Sequence, residues 1–505
     1  MIRSILSNWF ALVVNGLVSI ALTPILIHGL GDFHYGMWIL VGSLVEYSSF
    51  IDMGLRMTLQ RFVARHQGAH QSKELGDTFD TALALALCVC LMLCVLTGIF
   101  AWVLPGFFGL KGAASDLFVK VVVLLGLSVA VTFPARVLAS YLCGLQRYDV
   151  YNLAAIVTGL ARAALLVGVL HRGYGVLACS VVSLVIAVLS LVLHWWLVRW
   201  VAPMASLHWW RGSWARTREL FSFSIYVFLT NMGDFIRFRV DSFVIARWLT
   251  MSLVTPFNVA SRIIDYFRSL MFTVVGPLMT LMSELDGQSR QKELQKVFLR
   301  STKITALLAF GIGSILMLDG KTLLSVWVGP QYVSAYVPLM VLVLGHSISV
   351  AQSPSVNILL ARGQHRPMGW WTLGEGVVNL ALSIHWAGKY GLVGVALGTA
   401  VPQILVKLTL QPWFALRAAE LSAREYILGA LARPVAVCAI FLSLGRLGVS
   451  LLPGAGLLEL GSNVAWQMLL FGVVAYYVGF TASEREFLWE RGKRFASNFR
   501  LAKAS

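Results

Sequence analysis

Charged side chains are rare inside long apolar stretches, and where they gather they either neutralise one another or serve an ion. This chain gathers them twice. Asp234, Arg237, Arg239 and Asp241 fall in one apolar stretch, and Arg262, Asp265 and Arg268 in the next. At about 100° per helical residue, Asp234, Arg237 and Asp241 share a face while Arg239 points almost the opposite way. Arg262, Asp265 and Arg268 fit within an arc of roughly 120°. Arg136, Arg162, Glu46, Asp52, Glu375 and Lys407 add further charges in apolar surroundings. Two chemistries fit. The aspartates can pair with their neighbouring arginines simply to cancel buried charge. Alternatively the arginines face water and replace the hydration shell of an anion in mid-bilayer. One aspartate cannot satisfy both Arg262 and Arg268, which favours ligand contact for these two. Arg237 and Asp241 are open to either chemistry, Arg239 to an interior position, and Arg136 to snorkelling toward an interface.

Composition says what positions these charges. The 505 residues are 58% hydrophobic and 12% charged, whereas a soluble domain carries roughly a quarter charged residues. So many long apolar segments require the bilayer as solvent. The net charge of +17 does not point to nucleic acid, because the Lys and Arg cluster in short connections, as the positive-inside rule demands. The six cysteines lie inside apolar runs, too close together for a disulfide framework and too poor in histidine partners for a metal site. No cofactor is expected. Asp319-Gly320-Lys321-Thr322 imitates the end of a phosphate-binding loop, but Ile315 stands where its upstream glycine belongs.

About fourteen segments are long enough to cross a bilayer: residues 9–30, 36–55, 81–104, 117–141, 150–170, 174–198, 220–246, 252–281, 301–318, 335–360, 367–387, 391–416, 426–444 and 457–480. The basic loops (56–73, 199–218 and 290–303) and the tail from Arg485 to Lys503 alternate with loops holding single charges such as Lys111, Arg172 and Lys389. That asymmetry places both termini in the cytoplasm. Trp209, Trp210 and Trp214 among arginines predict an interfacial helix at 203–218. The tail, basic and studded with Phe487, Phe495 and Phe499, is suited to lying on the anionic inner leaflet.

The chain also repeats itself. Lys73-Glu74-Leu75 with Phe79 returns 219 positions later as Lys292-Glu293-Leu294 with Phe298. Glu46 corresponds to Asp265 at the same interval, and Pro134, Gly144 and Tyr174-Gly175 have near equivalents in Pro354, Gly363 and Tyr390-Gly391. Six helices per repeat give parallel repeats, two lobes able to open to either side in turn. The expected architecture is an all-α polytopic membrane protein: an N-lobe at 1–218, a C-lobe at 219–420, and two extra helices with a basic tail at 421–505.

Thr23-Pro24-Ile25-Leu26, Gly29-Leu30-Gly31-Asp32, Tyr35-Gly36-Met37-Trp38, Ile51-Asp52-Met53-Gly54-Leu55 and Arg61-Phe62-Val63-Ala64 follow in that order. They resemble the N-terminal signature of the polysaccharide-transport (O-antigen and lipid-linked oligosaccharide flippase) family, within the multidrug/oligosaccharidyl-lipid/polysaccharide exporter superfamily. Val240-Asp241-Ser242-Phe243 and Phe257-Asn258-Val259-Ala260 resemble the family's aspartate-bearing seventh helix and its Tyr-x-x-Ala, with Phe257 in place of the tyrosine. The resemblance implies a two-lobe flippase in the bacterial cytoplasmic membrane, exporting a lipid-pyrophosphate-linked glycan. Its partners are that lipid-linked glycan, membrane lipids and polysaccharide assembly proteins. On that reading Arg262, Arg268, Arg237, Arg239, Arg136 and Arg162 form the cationic substrate site. Asp241, Asp265, Glu46, Asp52 and Glu375 serve ion coupling or charge pairing.

Rival functions make distinct demands. A multidrug antiporter of the same superfamily uses acidic cavities for organic cations, which a mid-membrane excess of arginine would repel. A peptidoglycan-precursor flippase would differ only in cargo. A membrane glycan polymerase needs an outer loop large enough to hold chemistry, and no expected connection is longer than roughly 25 residues. The expectation is a transporter and not an enzyme.

Overall fold

The computed structural model describes residues 2–46, 71–202, 240–364, 366–449 and 456–486, with a few residues between 59 and 67. Among these, all regular structure is helical. The helices include ten runs long and apolar enough to cross a membrane, and the chain is an all-α polytopic membrane protein.

Two of those runs each contain two spans, and a glycine makes the difference. Helix α1 (Ile2–Glu46) would be about 67 Å long if straight, more than twice the ~30 Å hydrocarbon core. Gly31 interrupts it with φ 72° and ψ 167°, a conformation essentially confined to glycine. Residues before it lie in the first expected span, and those after it, as far as Glu46, in the second. Next come α2 (Ser72–Phe107), α3 (Ala113–Gly144), α4 (Tyr148–His171) and α5 (Val176–Val201), spans three to six. The seventh span is described only at its end, α6 (Asp241–Trp248). After the turn at Leu249 and Thr250 comes α7 (Met251–Gly287), the charged helix at the place of the expected eighth span, which is not among the ten apolar runs.

α8 (Gln291–Trp327) is followed by the 3-10 turn Pro330–Ala335. The tenth span is expected as one helix but is broken at Gln352 into α9 (Tyr336–Ala351) and α10 (Ser353–Ala361). Pro354 explains the break: it supplies no N–H and fits the first turn of a new helix. Its repeat counterpart, Pro134, stays inside the unbroken α3. α11 (Arg366–Leu408) is the second double span, turned at Gly391 with φ 58° and ψ −137°. α12 (Leu410–Ala419) follows. Ser422 and Glu425 then close a capping box on α13 (Ala423–Tyr426). A π turn at Ile427–Leu431 leads into α14 (Ala432–Val449), and α15 (Leu457–Val474) completes the set.

The contacts divide the chain into Met1–Asn258 and Val259–Ser505, a division inside α7. The expected lobe boundary at 218 lies outside the described residues. The first unit is centred on α2, α3 and α5, where Phe79, Ala82, Leu138, Leu142 and Val198 are buried together. In the second, Leu294, Phe298, Ile358, Trp371, Ala415 and Tyr426 do the same. The repeat-related Phe79 and Phe298 are both fully buried. Each lies against a tyrosine ring, Tyr141 at 4.2 Å and Tyr426 at 5.6 Å between centroids. The two helices outside the repeat, α14 and α15, pack on α8 through Leu307, Val437, Val474 and Ala475. Large apolar side chains such as Leu91, Trp102, Leu458 and Met468 stay exposed, as lipid-facing positions require.

Candidate functional site

α7 shows how the sequence presents charge. Ile263, Phe267 and Met271 recur at helical spacing and are buried, the latter two against Ala306, Ala309 and Val350. That leaves Arg262 and Asp265 on the other side of the helix, with Arg268 on its flank. Arg268 Nη1 lies 3.9 Å from Asp265 Oδ1, with the two side chains 23% and 46% exposed. This is a loose contact at the limit of an ion pair. Arg262 is half-buried and makes no ion pair or hydrogen bond with the described residues. The three residues thus stand on one helix as expected, but the acid approaches only one of its two arginines.

The remaining predicted residues are spread over both units. In the first, Arg136 of α3 rests over the ring of Phe133 at 5.3 Å. Arg162 is exposed on α4, and Asp241 is buried in the first turn of α6. Glu46 ends α1, and only its backbone is described. Arg237, Arg239, Asp234 and Asp52 lie outside the described residues, as do the loop at 203–218 and the tail beyond 486. In the second unit Glu375 is 2% exposed on α11. Lys407 is buried and donates to Gln411 Oε1 at 2.6 Å. Gln411 in turn donates to the carbonyl of Gln352, whose side-chain oxygen accepts from Tyr426.

Glu375 has neighbours that a search for charges overlooks. Asn379 and Ser383 follow it at intervals of four, so the three share a face. The reversal at Gly391 brings Thr399 and the carbonyl of Val395 back against them. Ser383 donates to Asn379 Oδ1 at 2.9 Å and lies 3.3 Å from Val395 O, and Thr399 reaches Asn379 Oδ1 at 3.5 Å. All four side chains are at most 2% exposed. The polar i, i+4, i+8 spacing was the available signal.

The Gly31-to-Trp38 motif has a structural task within the first unit. Thr255 donates to the carbonyl of Asp32 at 2.7 Å, and Tyr35 donates to Asn258 at 3.4 Å. A Cβ on Gly36 would lie 2.3 Å from the carbonyl oxygen of Met251. The motif therefore seats the first turns of α7 directly against α1. Residues 319–322, in contrast, lie inside α8. Their N–H groups are spent on the helix and cannot cradle phosphate.

The sequence model of a family described as polysaccharide biosynthesis protein matches residues 30–337. A relative named as a putative O-antigen transporter of Shigella flexneri is 21% identical over 414 residues, spanning 81% of this chain and 96% of its own. Among solved structures, an inward-facing multidrug resistance MATE family transporter of the MOP superfamily superposes with a TM-score of 0.70 at 15% identity. It covers 80% of this chain and 95% of its own. Lipid II flippase MurJ in an inward closed conformation gives 0.68 at 13% identity, covering 94% and 98%. These two likenesses establish the fold.

Proposed function

The chain belongs to the polysaccharide biosynthesis protein family, and from that premise we propose that it exports a lipid-pyrophosphate-linked oligosaccharide across the bacterial cytoplasmic membrane by alternating access. The observation that carries this reading is Arg262: an arginine on α7, in a segment the sequence places within the membrane, half-buried and forming no ion pair with the described residues. A permanent cation in that setting is costly unless an anion visits it. The diphosphate of a lipid-linked glycan is such an anion. Arg268, with Nη1 3.9 Å from Asp265 Oδ1, supplies a second fork for phosphate oxygens. Arg136, Arg162, Arg237 and Arg239 are the further arginines assigned to the cargo. Asp241, Asp265, Glu46, Asp52 and Glu375 are the candidates for coupling an ion to transport.

On this reading the cargo is moved and no bond is made or broken, so the protein is a transporter and not an enzyme. Its partners are the lipid-linked glycan, membrane lipids and the proteins that assemble the surface polysaccharide. The termini face the cytoplasm, and residues 1–218 and 219–420 are the two moving lobes. The long coverage shared with the Shigella flexneri relative that bears the name of an O-antigen transporter supports a surface glycan as the destination.

The test is a deletion strain. Loss of a surface polysaccharide, with its lipid-linked repeat unit accumulating on the cytoplasmic face, is the expected result. Normal surface glycan beside arrested peptidoglycan synthesis would assign the precursor cargo instead.

A further inference from the structure

α8 and α15 run antiparallel in a register that can be read from their contacts. A Cβ on Gly311 would lie 2.7 Å from the ring of Phe471, and Leu307 packs with Ala475. Eight residues beyond Gly311 on α8 is Asp319, and eight before Phe471 on α15 is Asn463. The register thus sets them face to face, and Asn463 does lie beside Asp319. Gln467, one turn further along, donates through Nε2 to Asp319 Oδ2 at 2.7 Å. The three side chains are 3%, 1% and 0% exposed respectively.

The hydrogen bonding is incomplete. Oε1 of Gln467 is buried without a hydrogen-bond partner, and both amide atoms of Asn463, though close enough to the Asp319 carboxyl to interact with it, make no hydrogen bond of regular geometry. Among the described residues no cationic side chain pairs with Asp319; the nearest in sequence, Lys321, holds its ammonium over the ring of Tyr336 at 5.1 Å. A buried carboxylate beside two unfilled carboxamide oxygens is an unfinished oxygen shell, and each orphaned group costs free energy unless something fills it. Glu459, Asn463 and Gln467 recur every four residues and line one face of α15. Glu459 also borders a cleft of about 650 Å³ together with Lys321, Thr322 and Ser325, so the polar face leads from open solvent to the buried group.

We propose that Asp319, Asn463 and Gln467 hold a small hard monovalent cation, with sodium as its probe. Oxygen-only donors suit a hard ion. One buried carboxylate, with the Glu459 charge near it at the cleft, and few ligands suit a monovalent ion, since calcium takes about 6–8 oxygens and magnesium retains its own waters. The ion neutralises Asp319 and ties α15, a helix outside the sequence repeat, to α8 of the second unit. None of these residues enters the transport reading above, so either inference can fail without the other.

The experiment uses the full-length protein purified in detergent without sodium. Thermal unfolding is followed as NaCl is added, against choline chloride and KCl at matched ionic strength, and bound ²²Na⁺ is counted at equilibrium. Sodium should raise Tm saturably beyond choline. Asn463→Leu and Asp319→Asn should each lose one equivalent of bound sodium, or bind it at least tenfold more weakly, and lose the corresponding Tm shift. Should Asp319→Asn fail to fold, Asn463→Leu carries the same comparison with every charge in place. Equal shifts in sodium and choline, or sodium binding unchanged in Asn463→Leu, would mean that a proton or a protein cation answers Asp319, and would overturn the proposal.

Discussion

Arg262 and Arg268 stand six positions apart on α7 but differ in what holds them, and this separates their predicted phenotypes. Asp265 approaches Arg268 at 3.9 Å with half its side chain in the open. A contact that loose and exposed contributes at most about 1 kcal/mol. Asp265→Asn should therefore leave membrane abundance close to wild type, and a fall in export at normal abundance would assign Asp265 to ion coupling. Loss of folded protein in that variant would show that the acid is a structural counter-charge. Arg262→Ala removes a cation that pairs with none of the described residues, so its folding cost is small. Its cost to export should be roughly tenfold or more if it meets phosphate, since a charge-assisted hydrogen bond is worth about 1.5–3 kcal/mol. Arg262→Lys should retain part of the activity, because the charge survives and the bidentate fork does not. Surface glycan normalised to membrane abundance measures all three. Charge made α7 legible in the sequence: three ionic residues in an apolar run are conspicuous. Asn379, Ser383, Asn463 and Gln467 were not, because amides and hydroxyls cost less in a membrane helix and draw less notice. Their partners are also remote in the chain; Gln467 meets Asp319 across 148 positions.

At the scale of elements, helix turns were easier to read where glycine marked them than where packing did. Gly31 and Gly391 each convert one long helix into two spans, and the apolar runs on either side announced this. The break at Gln352 needed Pro354 to be weighed as the start of a new helix. The polar contact that ties the segment after α15 to α8 was hidden altogether, because its two residues lie far apart in the chain. Lys303, 4% exposed, donates to Glu484 at 2.6 Å, and Thr481 adds its N–H and hydroxyl to the same carboxylate. Burial opposes ionisation of Glu484, yet the bonds from Lys303 and Thr481 outweigh it and hold the carboxyl below its ordinary range. A carboxyl with a lowered folded-state pKa contributes stability above its unfolded value. That contribution fades as pH falls through the folded one. Tm should therefore decline as pH is lowered below about 4.5, and Glu484→Gln should flatten that part of the profile. Glu484→Ala leaves a buried ammonium unpaired, at a cost of about 3 kcal/mol. Thermal unfolding of the purified protein reads both. A wild-type profile identical to that of Glu484→Gln in acid would remove the pair from the account.

For the molecule as a whole, orientation and driving force are linked. The basic loops predict that Ser72 and Gln288 face the cytoplasm, so single cysteines placed there, on a background lacking the six native ones, should resist an impermeant reagent in intact cells. Labelling of either position from outside would overturn the fourteen-helix topology. The cytoplasm is the negative side of the membrane, so each net negative charge carried outward gains about 2.3 kcal/mol per 100 mV. A diphosphate cargo therefore draws on the membrane potential without any bound coupling ion, to the extent that arginine side chains do not travel with it. Collapsing the potential in inverted vesicles or proteoliposomes, with the pH gradient held constant, should slow flipping severalfold. Collapsing the pH gradient alone should do much less. The opposite pattern would shift the burden to a protonatable group, and Glu375 would be the first to replace: buried at 2% exposure, it sits where a proton taken up from one side would be sheltered from water. Glu375→Gln should then abolish the pH-driven component while leaving any potential-driven component in place. If neither gradient matters, net export is driven by consumption of the glycan on the far side. In that case flipping in vesicles should run equally in both directions, with only the removal of product giving it a sense.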